Sequence, residues 1–354
     1  MRWGKSSNIV LGAALGLALA GVLPAAGAAR VLRVLTHSSF SATKGLVEEF
    51  ERENGAEVRF TSGGDAGETL NKAILAGARP LADVIFGVDN TFMSRALAAG
   101  MLEPYDSPRL AEVPAELLLD PTRRLLPIDV GHVCLNYDRA WFARTGLAVP
   151  RSLEDLLRPE YRDLLVVEDP ATSSPGLAFL LATIARFGEK GPVTWESWWT
   201  GLRANGVLVV NGWNEAYYDE FSGAGKGKRP LVVSYSTSPA AEVFFASEPK
   251  PAQPPTGVVL APGSSFRQVE FAGIFRGARE KDLARKFVDF MLSRRFQEDI
   301  PLQMFVYPAN RTARVPDLFE RFAPVPPEPA LIDPALIEAN REQWIARWSR
   351  LVLR

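Results

Sequence analysis

The chain has 354 residues, enough for two lobes of ordinary domain size rather than a single core. Apolar residues make up 47% and charged residues 23%, which excludes a disordered chain. A formal net charge of −1 supplies neither the basic field of a nucleic-acid binder nor a polybasic membrane patch.

The chain opens on Arg2 and Lys5, an apolar run from Ile9 to Leu23, and small residues in which Ala26-Gly27-Ala28 fits an A-x-A cleavage rule. Residues 1–28 therefore read as a secretory signal peptide, with an uncleaved membrane anchor as the alternative. No cysteine stands at the cleavage site to take a lipid. The lone Cys134 cannot form an internal disulfide and reads as a small buried apolar residue.

Strands and helices then alternate. "RVLRVLTHSS" predicts a strand, "TKGLVEEFEREN" a helix closed by Gly55, and "AEVRFTSGG" a strand entering a glycine-rich turn. "GETLNKAILAGA" predicts a helix, "ADVIFGVD" a buried strand and "NTFMSRALAAG" a helix closed by Gly100. This βαβαβα order predicts a parallel sheet covered by helices, whose ligands bind at the carboxyl ends of the strands. "RRLLPIDVGHVCLNYD" is a candidate crossover into a second lobe, and "PGSSFRQVEFAGIF" a candidate return. Between them "DLLVVEDPATSSPGLAF", "GVLVVNGWNEAYYDEF" and "RPLVVSYSTSPAAEVFFAS" each run from apolar strand through polar turn to helix. The expected division is 29–127 for the first part of lobe 1, 128–266 for lobe 2, and 267–354 for the return to lobe 1 with the C-terminal helices.

Two hydroxyl clusters end in a Ser-Pro step: Thr172-Ser173-Ser174-Pro175, and Ser234 through Ser238 before Pro239. Serine suits a helix N-cap and proline the first helical position, so Ser174 and Ser238 are the expected caps. A helix N-terminus also offers free N–H donors and partial positive charge. One such cluster is ordinary capping. Two, each after an apolar strand, point to a neutral pocket for an oxygen-rich or phosphate group, in which the extra hydroxyls Thr172, Ser173, Tyr235, Ser236 and Thr237 line the turns beside the caps Ser174 and Ser238. Asp65 either caps the following helix or accepts from an amine or cation. Trp213, in a turn after a strand, either stacks on a ring or cation or covers an apolar edge. Tyr217-Tyr218 suggests a ferric site, against the plainer reading of one buried and one exposed ring. G-x-S-x-G and H-E-x-x-H are missing, and "GAGKGKRP" lacks the phosphate-loop spacing.

In their order, "ADVIFGVDN", "EDPATSSPGL", "NGWNEAY", "LVVSYSTSPA", "FVYPAN" and "REQWIARWSR" resemble the periplasmic thiamine-binding proteins that serve thiamine ABC importers, over nearly the whole mature chain. The resemblance implies an α/β type II periplasmic-binding fold, two lobes closing by a hinge over an interlobe cleft. It implies a non-enzyme located outside the cytoplasm, without a cofactor or resident metal, probing no nucleic acid and acting as a monomer. Its implied partners are thiamine or a thiamine phosphate, the permease and its ATPase. Family ligand contacts fall on Asp65, Ala66, Ser173, Ser174, Trp213 and Tyr235 through Ser238. The chain departs from some members where aromatic residues sandwich the ligand: Phe305 keeps a ring there, His37 is a partial replacement and Ala241 none, and Ala66 stands in place of glycine. A ferric-binding protein of the same fold is the alternative, and a secreted hydrolase a more distant one.

Overall fold

The computed structural model describes residues 30–354; the expected signal peptide lies outside them. Two parallel pairings form the first half. β1 (Arg30–Thr36) pairs with β2 (Ala56–Ser62) along its whole length, and with β3 (Val84–Asp89) on its other side. The connections are α1 (Lys44–Asn54) and α2 (Ala66–Ala76). Every residue of β3 is buried, as its unbroken apolar run predicts for a strand covered on both faces. α1 stops where Gly55 takes the left-handed conformation, φ 58°, and returns its N–H to Glu51. α3 (Met93–Ala98) is shorter than the sequence pattern predicts, because Asp89 first captures the N–H of Thr91 in a local turn.

β4 (Leu102–Glu103) precedes the 13-residue β5 (Leu126–Asp138). The second half contains α4 (Arg139–Thr145), β6 (Leu165–Glu168), α5 (Ser174–Phe187), α6 (Trp195–Ala204), β7 (Leu208–Val210) and β8 (Leu231–Tyr235). It ends with α7 (Ser238–Phe245) and β9 (Thr256–Val259), before β10 (Phe266–Phe275). Then come α8 (Lys281–Leu292), α9 (Arg294–Gln303), β11 (Tyr307–Pro308), α10 (Asp317–Phe322) and α11 (Pro334–Val352).

One sheet runs through the molecule in the order β2-β1-β3-β10-β5-β8-β6-β7. β5 and β10 join its two parts. The leading residues of β5 pair antiparallel with β10, and its trailing residues with β8 and β9. β10 pairs in turn with β3. The register of β10 slips beside Glu270 on one side and beside Phe271 on the other, irregularities of the kind that re-aim side chains next to sites. α11 packs on α6, with Trp348 edge-on to Trp199 at 5.4 Å between ring centroids and both indoles buried.

Candidate functional site

The ends of β1, β2, β6 and β8 and the turn after β7 converge where the two parts of the sheet meet. They border an open cleft of about 500 Å³, counting the space that opens to solvent, lined by His37, Asp65, Ala66, Ser174, Trp213 and Tyr235. Glu270, Met304 and Val306 complete its floor and rim. A second cavity, of about 680 Å³ on the same count, adjoins it across Trp213 and Tyr235. Thr237, Ser238, Ala241 and Phe305 line that one, with Tyr218 and Phe245 opposite. Thus most of the residues expected from the sequence lie around one continuous cleft. Ser173 and Ser236 line neither cavity; both are buried with their hydroxyls unbonded.

The helix starts differ from expectation by one residue. Ser173 and Thr237 occupy the cap positions, and helices α5 and α7 begin at Ser174 and Ser238, with no side-chain cap bond at either. The serines have other partners. The Ser174 hydroxyl donates to Asp89, and Ser238 Oγ lies 3.0 Å from Ser234 Oγ. Asp65 does cap: its Oδ1 accepts from Ala66 N at 2.7 Å, and its Oδ2 accepts from Trp213 N at 2.9 Å, across the cleft. The capping reading of Asp65 thus holds, and its second oxygen is taken by a backbone N–H. Burial raises its pKa, against the opposing pull of those two N–H donors.

Trp213 is fixed on three sides. Its backbone bonds Asp65, its Nε1 donates to Ser234 Oγ at 2.8 Å, and its ring stacks on Tyr217 at 5.0 Å and 16°. The expected helix after it is a π-turn, Glu215–Glu220, which places Tyr217 inward and Tyr218 outward. The Tyr217 hydroxyl donates to Glu242 Oε1 at 2.6 Å, and burial, then Glu242, holds its pKa well above the usual phenol range. This is opposite to what a tyrosinate ligand requires. Phe305 sits at φ 54°, strained for a residue with a Cβ, and stacks on Phe319 at 6.2 Å.

The floor is acidic. Glu270 stands opposite Asp129 of β5 and Asp89 of β3 in the strand register. Asp129 is fully buried, neither of its oxygens is hydrogen-bonded, and burial and Glu270 together push its pKa well up. His37 Nδ1 accepts from Ser39 N, which turns Nε2 toward Glu270 at 3.6 Å. Burial lowers the His37 pKa, but Glu270, Asp65 and Asp89 outweigh it and the net direction is up. No lysine or arginine lines either cavity.

Residues 79–324 match the bacterial extracellular solute-binding protein family. This chain belongs to that family. The thiamine-binding periplasmic protein of Brucella suis is 30% identical over 337 residues, covering 94% of this chain and 95% of the relative. That of Escherichia coli K12 is 31% identical over 333 residues, covering 92% and 94%. A solved periplasmic thiamin binding protein superposes with a TM-score of 0.79 at 28% identity, over 92% of this chain and 97% of the other. Iron-bound HitA from Pseudomonas aeruginosa, 20% identical with a TM-score of 0.72 over 91% and 99%, shares the fold. The fold is thus the two-lobed type II periplasmic-binding fold, and the chain is an extracytoplasmic solute-binding protein of an ABC importer.

In this solute-binding protein, sequence reasoning passed over Glu270, Met304 and Phe245. Glu270 had a signal: it is an acid inside the otherwise apolar "VEFAGIF", as Asp129 is inside "LPIDVGHV". A charge in the middle of a buried strand needs a partner or a ligand.

Proposed function

We propose that the chain binds thiamine and hands it to the membrane permease of its importer. The observation that carries this is the cleft itself, with the aromatic faces of Trp213 and Tyr235 beside the carboxylates Asp65 and Glu270 and no lysine or arginine in the lining. Such a lining suits a cationic aromatic solute, since ring faces and carboxylates both attract positive charge. The relatives that match over nearly the full length are named for thiamine binding. On this reading Asp65, Ala66, Ser174, Trp213, Tyr235 and His37 hold the rings. Thr237, Ser238 and Phe305 border the hydroxyethyl end or its phosphate, and Ser173 and Ser236 support the turns beneath. The lobes divide at 127/128 and 266/267, close by a hinge at β5 and β10, and act as a monomer without chemistry of their own.

The ferric alternative rests on Tyr217-Tyr218, and the Tyr217 phenol is committed to Glu242. The hydrolase reading lacks a serine hydroxyl bonded to histidine among the described residues. Native mass spectrometry of the gently purified protein, then calorimetric titration with thiamine, thiamine phosphate and ferric citrate, tests the proposal. Retained or saturable thiamine is the expected result; binding of ferric ion with no thiamine uptake would reverse it.

A further inference from the structure

Glu270 is the acid at the floor of the cleft, on β10, where that strand lies between β3 and β5. Three carboxyls meet there, from Asp89, Asp129 and Glu270, at paired positions of three neighbouring strands. Like charges so placed destabilise the fold unless something offsets them. Asp89 is offset from within: Thr91 N and the Ser174 hydroxyl both donate to it. Asp129 lines neither cavity and is shut away from solvent. Glu270 alone of the three opens into the cavity.

The protein satisfies Glu270 poorly. Its one ion-pair partner among the described residues is His37, whose Nε2 stays 3.6 Å away, is buried, and makes no hydrogen bond. The groups facing Glu270 are otherwise Asp129 from β5, Asp89 from β3 and Tyr235 from β8, whose hydroxyl is turned to Gln268. Those facing His37 are Glu270, Asp65 and Asp89, all acidic. A carboxylate among other acids, with the His37 imidazole at 3.6 Å as its one basic neighbour and no lysine or arginine in the cavity, favours a ligand that brings positive charge of its own.

We infer that Glu270 is a specificity-determining residue that selects a cationic ring over a neutral one of the same shape. The inference rests on the thiamine reading above and names what that site demands of its cargo. The same charge keeps the phosphate of a phosphorylated cargo away from this end of the cleft, toward the hydroxyls of Thr237 and Ser238 in the adjoining cavity.

The test uses the full mature protein and two ligands: thiamine, and 3-deazathiamine, in which a neutral thiophene replaces the thiazolium. Wild type is expected to prefer thiamine by roughly tenfold or more. Glu270→Gln should lose most of that preference by weakening thiamine, with 3-deazathiamine affinity unchanged within about twofold. Because the substitution removes the carboxylate set between Asp89 and Asp129, the unliganded variant should melt at or above the wild-type temperature. Asp129→Asn should keep the preference. Equal losses for both ligands in Glu270→Gln, no loss for either, or a preference abolished equally by Asp129→Asn would each overturn the assignment while leaving thiamine as cargo. Failure of wild type to bind thiamine at all overturns the cargo reading, and the assignment with it.

Discussion

Trp213 shows how one residue serves both structure and ligand. Its indole N–H is spent on Ser234 and its outer face on Tyr217, so the remaining face and edge border the two cavities at their junction. Trp213→Ala is expected to weaken thiamine binding by roughly 10–100-fold, the scale of losing a cation–π face and a central anchor. Trp213→Phe keeps a ring but gives up the Ser234 bond, and should fall between. Calorimetry gives the affinities, and circular dichroism with thermal melting checks that both variants fold. Wild-type affinity in Trp213→Ala would place the ligand elsewhere.

At the scale of elements, the π-turn that carries Tyr217 is clamped to α7 and to the start of β9 by Glu242, which accepts from the Tyr217 hydroxyl and from Thr256 N. Burial is the main cause that lifts the Glu242 pKa from 4.5 to about 7. The folded protein therefore holds this proton where the unfolded chain has released it. Stability from Glu242 is greatest at low pH and is lost as pH rises between 4.5 and about 7. Urea unfolding of wild type and Glu242→Gln across that window should show the difference in stability drifting against wild type as pH rises, then levelling off. No drift would mean that the carboxyl ionises in the fold as it does in the open chain, and a drift in the opposite direction that the fold favours the carboxylate. The same elements mark what was legible in the sequence. The parallel strands β1 to β3 are written in apolar runs with polar ends, and those ends are where the cleft lies. The start of α5 was one residue off because Ser174 answers to Asp89, 85 positions away, and local capping rules do not reach that far. The acidic floor was not legible because it exists only once β3, β10 and β5 are in register. The π-turn carries no period of its own, so "NEAYYDE" read as ordinary helix.

At the scale of the whole molecule, the two halves already touch across the cleft. Asp65 meets Trp213 N, Glu68 N donates to Thr172 O at 3.2 Å, and Asn214 Nδ2 reaches Ser38 Oγ at 3.3 Å. On the far side α11 is fixed to the second half by Arg347, paired with Glu189 and Glu196, and touches the first where Arg341 lies 5.6 Å over Phe92. These few polar contacts oppose the freedom of β5 and β10 to flex, so closed and open forms should differ by only a few kcal/mol. Gly212 sits at the balance point. A Cβ there would stand 2.8 Å from Asp65 Oδ2, too close for the Asp65–Trp213 bond to keep its geometry. Gly212→Ala should therefore shift the unliganded population toward the open form and raise its radius of gyration in small-angle scattering. Saturating thiamine should restore the wild-type value. The apparent dissociation constant should rise by the same factor that the closed fraction falls, because ligand must now make up the difference in closure. The two measurements are thus locked together. A weakened affinity with an unchanged unliganded radius would mean that Gly212 shapes the pocket wall rather than the closure.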